Sequence, residues 1–131
     1  MISKGHTKTK AEKDWLDVVV EFASNSDFLS NKYGHVTANH FNWEIDHILG
    51  AKTKRKINGV SYGVGELAIM PIPFELHNVM SNNPLNRTTN PGVYRQSFGH
   101  EKQVWLEMIR AMQDDGYKIP FSEEVIQAII R

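Results

Sequence analysis

The chain contains no cysteine. Disulfides and cysteine-ligated zinc are therefore excluded whatever the fold. Long apolar runs are also missing, so no segment reads as a membrane span, and the basic start Met1-Ile2-Ser3-Lys4-Gly5-His6 leads into no apolar signal core. Charge of one sign is lacking too. Fifteen Lys+Arg balance fifteen Asp+Glu, and the net charge of +0 advertises no polyanion partner, although a neutral total can hide local fields. Internal repeats and low-complexity stretches are absent. What remains is ordinary for a globular protein: 131 residues, 40% hydrophobic and 23% charged, enough for one domain with a modest core. Any metal must be held by His, Asp, Glu, Asn, carbonyls or water, which favours Mg²⁺, Mn²⁺ or a similar ion.

Residues 1–7 read as a flexible basic arm. Ala11, Trp15, Val18, Val19 and Phe22 then form the stripe of an amphipathic helix over about residues 8–23. Asn25-Ser26-Asp27 marks its exit, and Asn31 to Gly34 predicts a further turn. Two extended segments follow, His35 to Phe41 and Trp43 to Ile48. Asn58-Gly59 is a two-residue hairpin signal between Lys56-Ile57 and Val60-Ser61-Tyr62. Leu67 to Ile72 reads as a strand, with Pro73 opening a short helix that bears Leu76, His77 and Met80. The Asn-, Pro- and Thr-rich stretch 82–92 lacks periodicity, which makes it a loop long enough to suggest function. Val104, Trp105, Met108 and Met112 mark a helix beginning between Tyr94 and His100 and stopped by Asp114-Asp115-Gly116. Ser122-Glu123-Glu124 caps a final helix carrying Val125, Ile126, Ile129 and Ile130.

Chemistry concentrates in residues 43–78. Trp43-Glu44-Ile45-Asp46-His47-Ile48 sets a carboxylate beside an imidazole at a strand end, and Pro71-Ile72-Pro73-Phe74-Glu75-Leu76-His77 supplies a second imidazole about thirty residues later. A ββα-metal (HNH-type) nuclease holds one hard cation in this way. Phosphodiester hydrolysis needs a cation, a base and groups that fix the phosphate. Asp46 and His77 are the candidate ligands, and His47 is the candidate general base. Successive strand side chains point to opposite faces, so Asp46 and His47 serve one site only if the strand ends there and the loop turns His47. Asn82, Asn83 and His100 are candidates for a third ligand or an orienting group. Asn86 shares the polar loop, where a side-chain amide could likewise ligate the cation or orient the imidazole, although capping and turn roles are the commoner use of Asn. Arg87 and Arg95 stand ready to meet a phosphate, and Lys52, Lys54, Arg55 and Lys56 to grip a nucleic-acid backbone. His6, His35 and His40 read as surface or structural residues, and Glu66 as a solvated carboxylate.

Four segments together resemble a known pattern: Lys10-Ala11-Glu12-Lys13-Asp14-Trp15-Leu16-Asp17-Val18-Val19, Glu44-Ile45-Asp46-His47-Ile48, Ala68-Ile69-Met70-Pro71-Ile72-Pro73-Phe74-Glu75-Leu76-His77, and Tyr94-Arg95-Gln96-Ser97-Phe98-Gly99. The pattern is that of the phage and prophage HNH nucleases of the recombination-enhancement (Ref) and YbcO type, and the likeness spans roughly residues 8–105. It implies a metal-dependent DNA endonuclease linked to recombination. Asp46 and His47 match the paired strand-end residues, and His77 matches the helix histidine. Two departures stand out. Asn25 to Gly34 and Pro73 replace the family's cysteines, and Val79-Met80-Ser81-Asn82-Asn83 replaces its further histidine, so the third ligand stays open between asparagine and water.

The expectation is thus a small single α+β domain over residues 1–131. Its ββα-metal core over 43–81 is flanked by amphipathic helices, with C-terminal helices over 100–131. It would bind one Mg²⁺ or Mn²⁺, with Zn²⁺ or Ni²⁺ as an inhibitory occupant. It would act on DNA in the cytoplasm of a bacterial host, away from membranes, beside recombination proteins. The competing expectations are a catalytically silent DNA-binding or recombination accessory protein on the same fold, and a structural module whose histidines are incidental.

Overall fold

The computed structural model describes residues 8–34 and 43–131. The basic arm 1–7 with His6, and the extended segment His35 to Phe41 with His40, lie outside the described residues.

Helix α1 (Lys10–Asn25) starts at a reciprocal cap. The Thr9 side chain accepts from the Glu12 amide at 3.1 Å, and Glu12 Oε1 accepts from the Thr9 amide at 2.9 Å. Its buried face is Trp15, Val19, Phe22 and Ala23. The stretch Asn31 to Gly34, expected as a turn, instead closes a second helix, α2 (Phe28–Tyr33). Leu29 and Tyr33, four apart, both point into the core and hold this short helix by burial rather than propensity.

Strand β1 (Trp43–His47) pairs antiparallel with β4 (Ile69–Pro73), setting Asp46 opposite Met70 and His47 opposite Ile69. Pro71 and Pro73 tolerate this because a two-stranded sheet has a free edge. Ile48 N–H donates to Ala68 O at 3.1 Å, so the even-numbered residues of β4 face β1 and both prolines turn their missing N–H outward. Between the two strands lies a second sheet, β2 (Lys54–Ile57) with β3 (Val60–Gly63). Its turn is Asn58-Gly59, with φ of 53° and 80°, the paired positive values that a two-residue hairpin with native twist requires.

β4 is buried throughout and runs straight into α3 (Phe74–His77). Helix α3 stops at His77, so Met80 is 83% exposed rather than helical. The loop beyond it ends at α4 (Pro91–Phe98), which begins earlier than the hydrophobic pattern suggested because Pro91 occupies its first turn. Helices α5 (Glu101–Asp114) and α6 (Glu123–Ile130) follow, capped by His100 and Ser122.

The whole is a small α+β single domain with two small antiparallel sheets. One core joins α1, α2, β4, α4, α5 and α6, with Trp15, Phe22, Tyr33, Leu76, Tyr94, Trp105 and Met108 at its centre. Trp15 also ties α1 to the β4 side, its Nε1 donating to Leu67 O at 3.0 Å.

Candidate active site

Alternation along β1 sends Glu44 and Asp46 to one face and Ile45 and His47 to the other. On the first face, α3 delivers His77 from the end of β4. His77 Nδ1 lies 2.7 Å from Glu44 Oε1, while Nε2 faces Asp46 Oδ1 at 3.8 Å. Asn78 Nδ2 donates to the other Glu44 oxygen at 3.1 Å. Burial works to raise the Glu44 pKa, yet the hydrogen bonds from His77 and Asn78 outweigh it and hold the carboxyl below its ordinary value. The imidazole thus bridges two carboxylates, with one ring nitrogen anchored and the other turned toward Asp46.

Asp46 is 2% exposed, and both of its oxygens accept from Arg87, through Nε and Nη2 at 2.5 Å. Arg87 reaches this spot because the polar loop folds back over α3. The Arg87 amide donates to Leu76 O at 2.7 Å, and the Thr88 hydroxyl donates to the His77 carbonyl. Asn86, wholly buried, holds the fold-back together. Its amide nitrogen donates to Glu75 O at 3.0 Å and Asn78 O at 2.9 Å, and its Oδ1 accepts from the Thr88 and Thr89 amides.

From Asp46 the ion pairs run on. Arg87 Nη1 donates to Glu101 Oε2 at 3.1 Å, and Arg95 meets Glu101 with two bonds of 2.7 Å. Burial would lift the Glu101 carboxyl. The Arg95 hydrogen bonds, its own backbone amide and the charges of Arg87 and His100 overcome that and bring it down to about 2. Beneath the array, the Tyr33 and Tyr94 hydroxyls lie 2.6 Å apart. Burial and the Asp46 charge push Tyr94 up to about 12, although the bond to Tyr33 opposes this. Both phenols stay neutral.

The sequence-predicted residues divide as follows. Asp46, His77 and Arg87 come together. His47 does not join them. The strand runs through His47 instead of ending before it, and His47 Nε2 pairs at 2.9 Å with Glu66. Glu66 is 4% exposed, which corrects the expectation of a solvated carboxylate, and the Gly65 before it packs closely against the Gly50 and Ala51 carbonyls. Asn83 Oδ1 accepts from the Leu85 amide at 2.8 Å in a turn, and Asn82 is exposed. His100 Nδ1 caps α5 through the Lys102 amide at 3.1 Å. Arg95 sits at the outer end of the array on Glu101. Lys52, Lys54, Arg55 and Lys56 lie on or before the β2–β3 hairpin, and none forms an ion pair with a described residue. Arg55 shares a face with Tyr62, its register partner.

Glu44, Asn78 and Glu101 are not among the expected site residues, and Asn86 takes the structural role in the loop that turn chemistry favours. For Glu44 the signal was present, since it stands two residues before Asp46 in a strand. For Glu101 no local signal exists.

The His77 nitrogen and the Asp46 oxygen stand 3.8 Å apart. Two ligand bonds of about 2.1 Å span that only at about 130°, between the 90° and 180° of the octahedron Mg²⁺ demands. The Glu44–His77 bond is the carboxylate–imidazole pairing that orients metal-bound histidines. Charge is the contrary consideration, because Arg87 already neutralises Asp46. Among the described residues, no group of three or more His, Cys, Asp or Glu is arranged to hold a metal. No protein-family model matches the chain, and neither a curated protein nor a solved structure matches it.

Proposed function

We propose that the protein is a metal-dependent DNA endonuclease of the HNH type, like the phage and prophage recombination-linked nucleases its sequence resembles, with β1, β4 and α3 as a ββα-metal core. The observation that carries this reading is the alignment Glu44–His77–Asp46, in which one imidazole nitrogen is anchored by a carboxylate and the other faces a second carboxylate at 3.8 Å.

Asp46 and His77 would hold one Mg²⁺ or Mn²⁺, with water completing the shell, since neither Asn82, Asn83 nor His100 stands beside them. Such an ion neutralises the non-bridging phosphate oxygen and the leaving alkoxide. His47 lies on the other face of β1 with its Nε2 on Glu66 and does not face this ion, so the nucleophile in this reading is a water activated by the ion itself. Lys52, Lys54, Arg55 and Lys56 offer the DNA backbone a cationic edge without ion pairs to described residues, with Tyr62 beside Arg55.

One observation favours a second reading. Because Arg87 fills both Asp46 oxygens, the same fold could serve as a cation-independent DNA-binding accessory protein in recombination. Nicking of supercoiled plasmid with Mg²⁺ or Mn²⁺, run beside DNA binding, separates the two. The nuclease reading expects metal-dependent nicking that His77→Ala abolishes with binding retained. Binding without nicking by the wild type, in either metal, would leave the accessory reading standing.

A further inference from the structure

We infer that duplex DNA lies across one face of the β2–β3 ribbon, the face formed by Lys54, Lys56, Ser61 and Gly63, and is held there through its phosphates alone. This rests on the reading of the protein as one that acts on DNA, and concerns which form of DNA it takes and by which surface.

The register sorts the ribbon into two unlike faces, because residues directly opposite one another in an antiparallel pair share a face. Lys54 stands opposite Gly63 and Lys56 opposite Ser61, whereas Arg55 pairs with Tyr62 and Ile57 with Val60. All four residues of the first set are exposed, while Arg55 and Ile57 are half-buried. The first face is open, and both of its charges are positive. Lys54 and Lys56 lie about 6.7 Å apart along the strand, and neither ammonium meets a carboxylate among the described residues. Cations elsewhere do: Lys10 meets Asp14, Lys32 meets Glu107 and Arg110 meets Glu123. Two like charges left side by side favour a polyanion laid over both.

The surroundings set the direction of approach. Helix α6 packs along β2, and its C-cap Arg131 donates from Nη2 to Lys56 O at 3.2 Å. At the turn, Asn58 Nδ2 donates to Glu124 Oε2 at 3.2 Å, which stations a carboxylate beside the tip. That charge repels phosphate, so the ribbon does not enter a groove tip first. The DNA crosses it broadside.

The choice of duplex follows from what this face lacks. Single-strand sites stack bases on aromatic rings, and the one ring in the ribbon, Tyr62, stands on the other face beside Arg55. Opposite the lysines are a hydroxyl, a donor to phosphate oxygen, and a glycine with open space where a Cβ would be, which lets a backbone come close. A contact made by charge and a hydroxyl is strongest where phosphates are densest. A duplex carries one per about 1.7 Å of its axis, against about 3.4 Å for either strand.

The test is fluorescence anisotropy with the full chain, a labelled duplex and the single strand of the same sequence, in EDTA so that cleavage does not intervene. The wild type is expected to bind the duplex roughly fivefold or more tightly than the strand. Changing Lys54→Ala and Lys56→Ala together should weaken duplex binding by about tenfold or more and flatten the logarithmic salt slope by about 1.8, the share of two phosphates. Gly63→Glu, whose side chain enters open space, should weaken it similarly with an unchanged circular dichroism spectrum, so the inference does not hang on the lysine variant folding. Duplex binding indifferent to both changes overturns the face and leaves the DNA reading standing. Preference for the single strand, lost in Tyr62→Ala, overturns the duplex assignment in favour of stacking. Displacement of the duplex by polyglutamate at equal charge overturns DNA as the occupant. No binding of either form overturns the inference, and the DNA reading falls with it when Mg²⁺ restores none.

Discussion

Arg87 clasps Asp46 from forty-one residues away, one guanidinium nitrogen on each carboxylate oxygen. The pair is a buried fork, and its value to the fold differs from its value to chemistry. Removing one member of such a pair leaves the other charged and uncompensated, typically at about 3–5 kcal/mol. Arg87→Ala is therefore expected to lower stability by that order, read as a fall in the urea midpoint with unchanged slope. Asp46→Asn should cost distinctly less, because Arg87 keeps Glu101 and the amide oxygen still accepts. Equal losses would show that the fork contributes as charge alone.

Acid should loosen the same region. Glu101 titrates near 2 when folded against an ordinary value of 4.5. A depressed carboxyl stabilises fully above the unfolded value and loses that contribution as pH falls through the folded one, here from about 4.5 down to about 2. Stability measured at pH 5 and pH 3 should therefore drop more in the wild type than in Glu101→Gln. Parallel curves would remove Glu101 as an acid sensor.

Asn86 is the brace of the loop that brings Arg87 home. Its amide satisfies two carbonyls and two amides, and Asn86→Ala would orphan several of them at about 1–3 kcal/mol. Hydrogen exchange at the Thr88 and Thr89 amides should quicken well beyond the change at α5. Uniform quickening would mark Asn86 as a global contributor only.

Gly65 has a steric role. A Cβ there would strike the backbone carbonyls of Gly50 and Ala51, which cannot swing aside as a side chain would. Gly65→Ala is expected to destabilise by about 1–3 kcal/mol and to disturb the His47–Glu66 pair that follows. Chemical shifts of the His47 ring identical to wild type would show that the pair does not depend on this close approach.

The cationic hairpin makes a separate prediction. If it lies on DNA, neutralising Lys54, Arg55 and Lys56 together lowers affinity evenly across sequences and flattens the dependence on salt, by nearly one in slope for each phosphate no longer neutralised. An unchanged slope would place the hairpin away from the nucleic acid.

Much of this was legible in the chain order alone. The stripe of Trp15, Val19 and Phe22, the Asn58-Gly59 turn and the capped helix after Ser122 follow from periodicity and turn chemistry, which act between near neighbours. Helix α2 escaped because it is six residues long and owes its existence to the core that receives Leu29 and Tyr33. Tertiary structure alone decided the company of Asp46. Arg87, Glu101 and Arg95 reach it through a folded-back loop and the start of another helix, and no local pattern records which guanidinium will find which carboxylate. It also separated His47 from Asp46, because whether a strand ends before a residue or runs through it is settled by the partner strand. Side-chain type and spacing are properties of the chain, whereas the pairing of buried charges is a property of what the fold brings within reach.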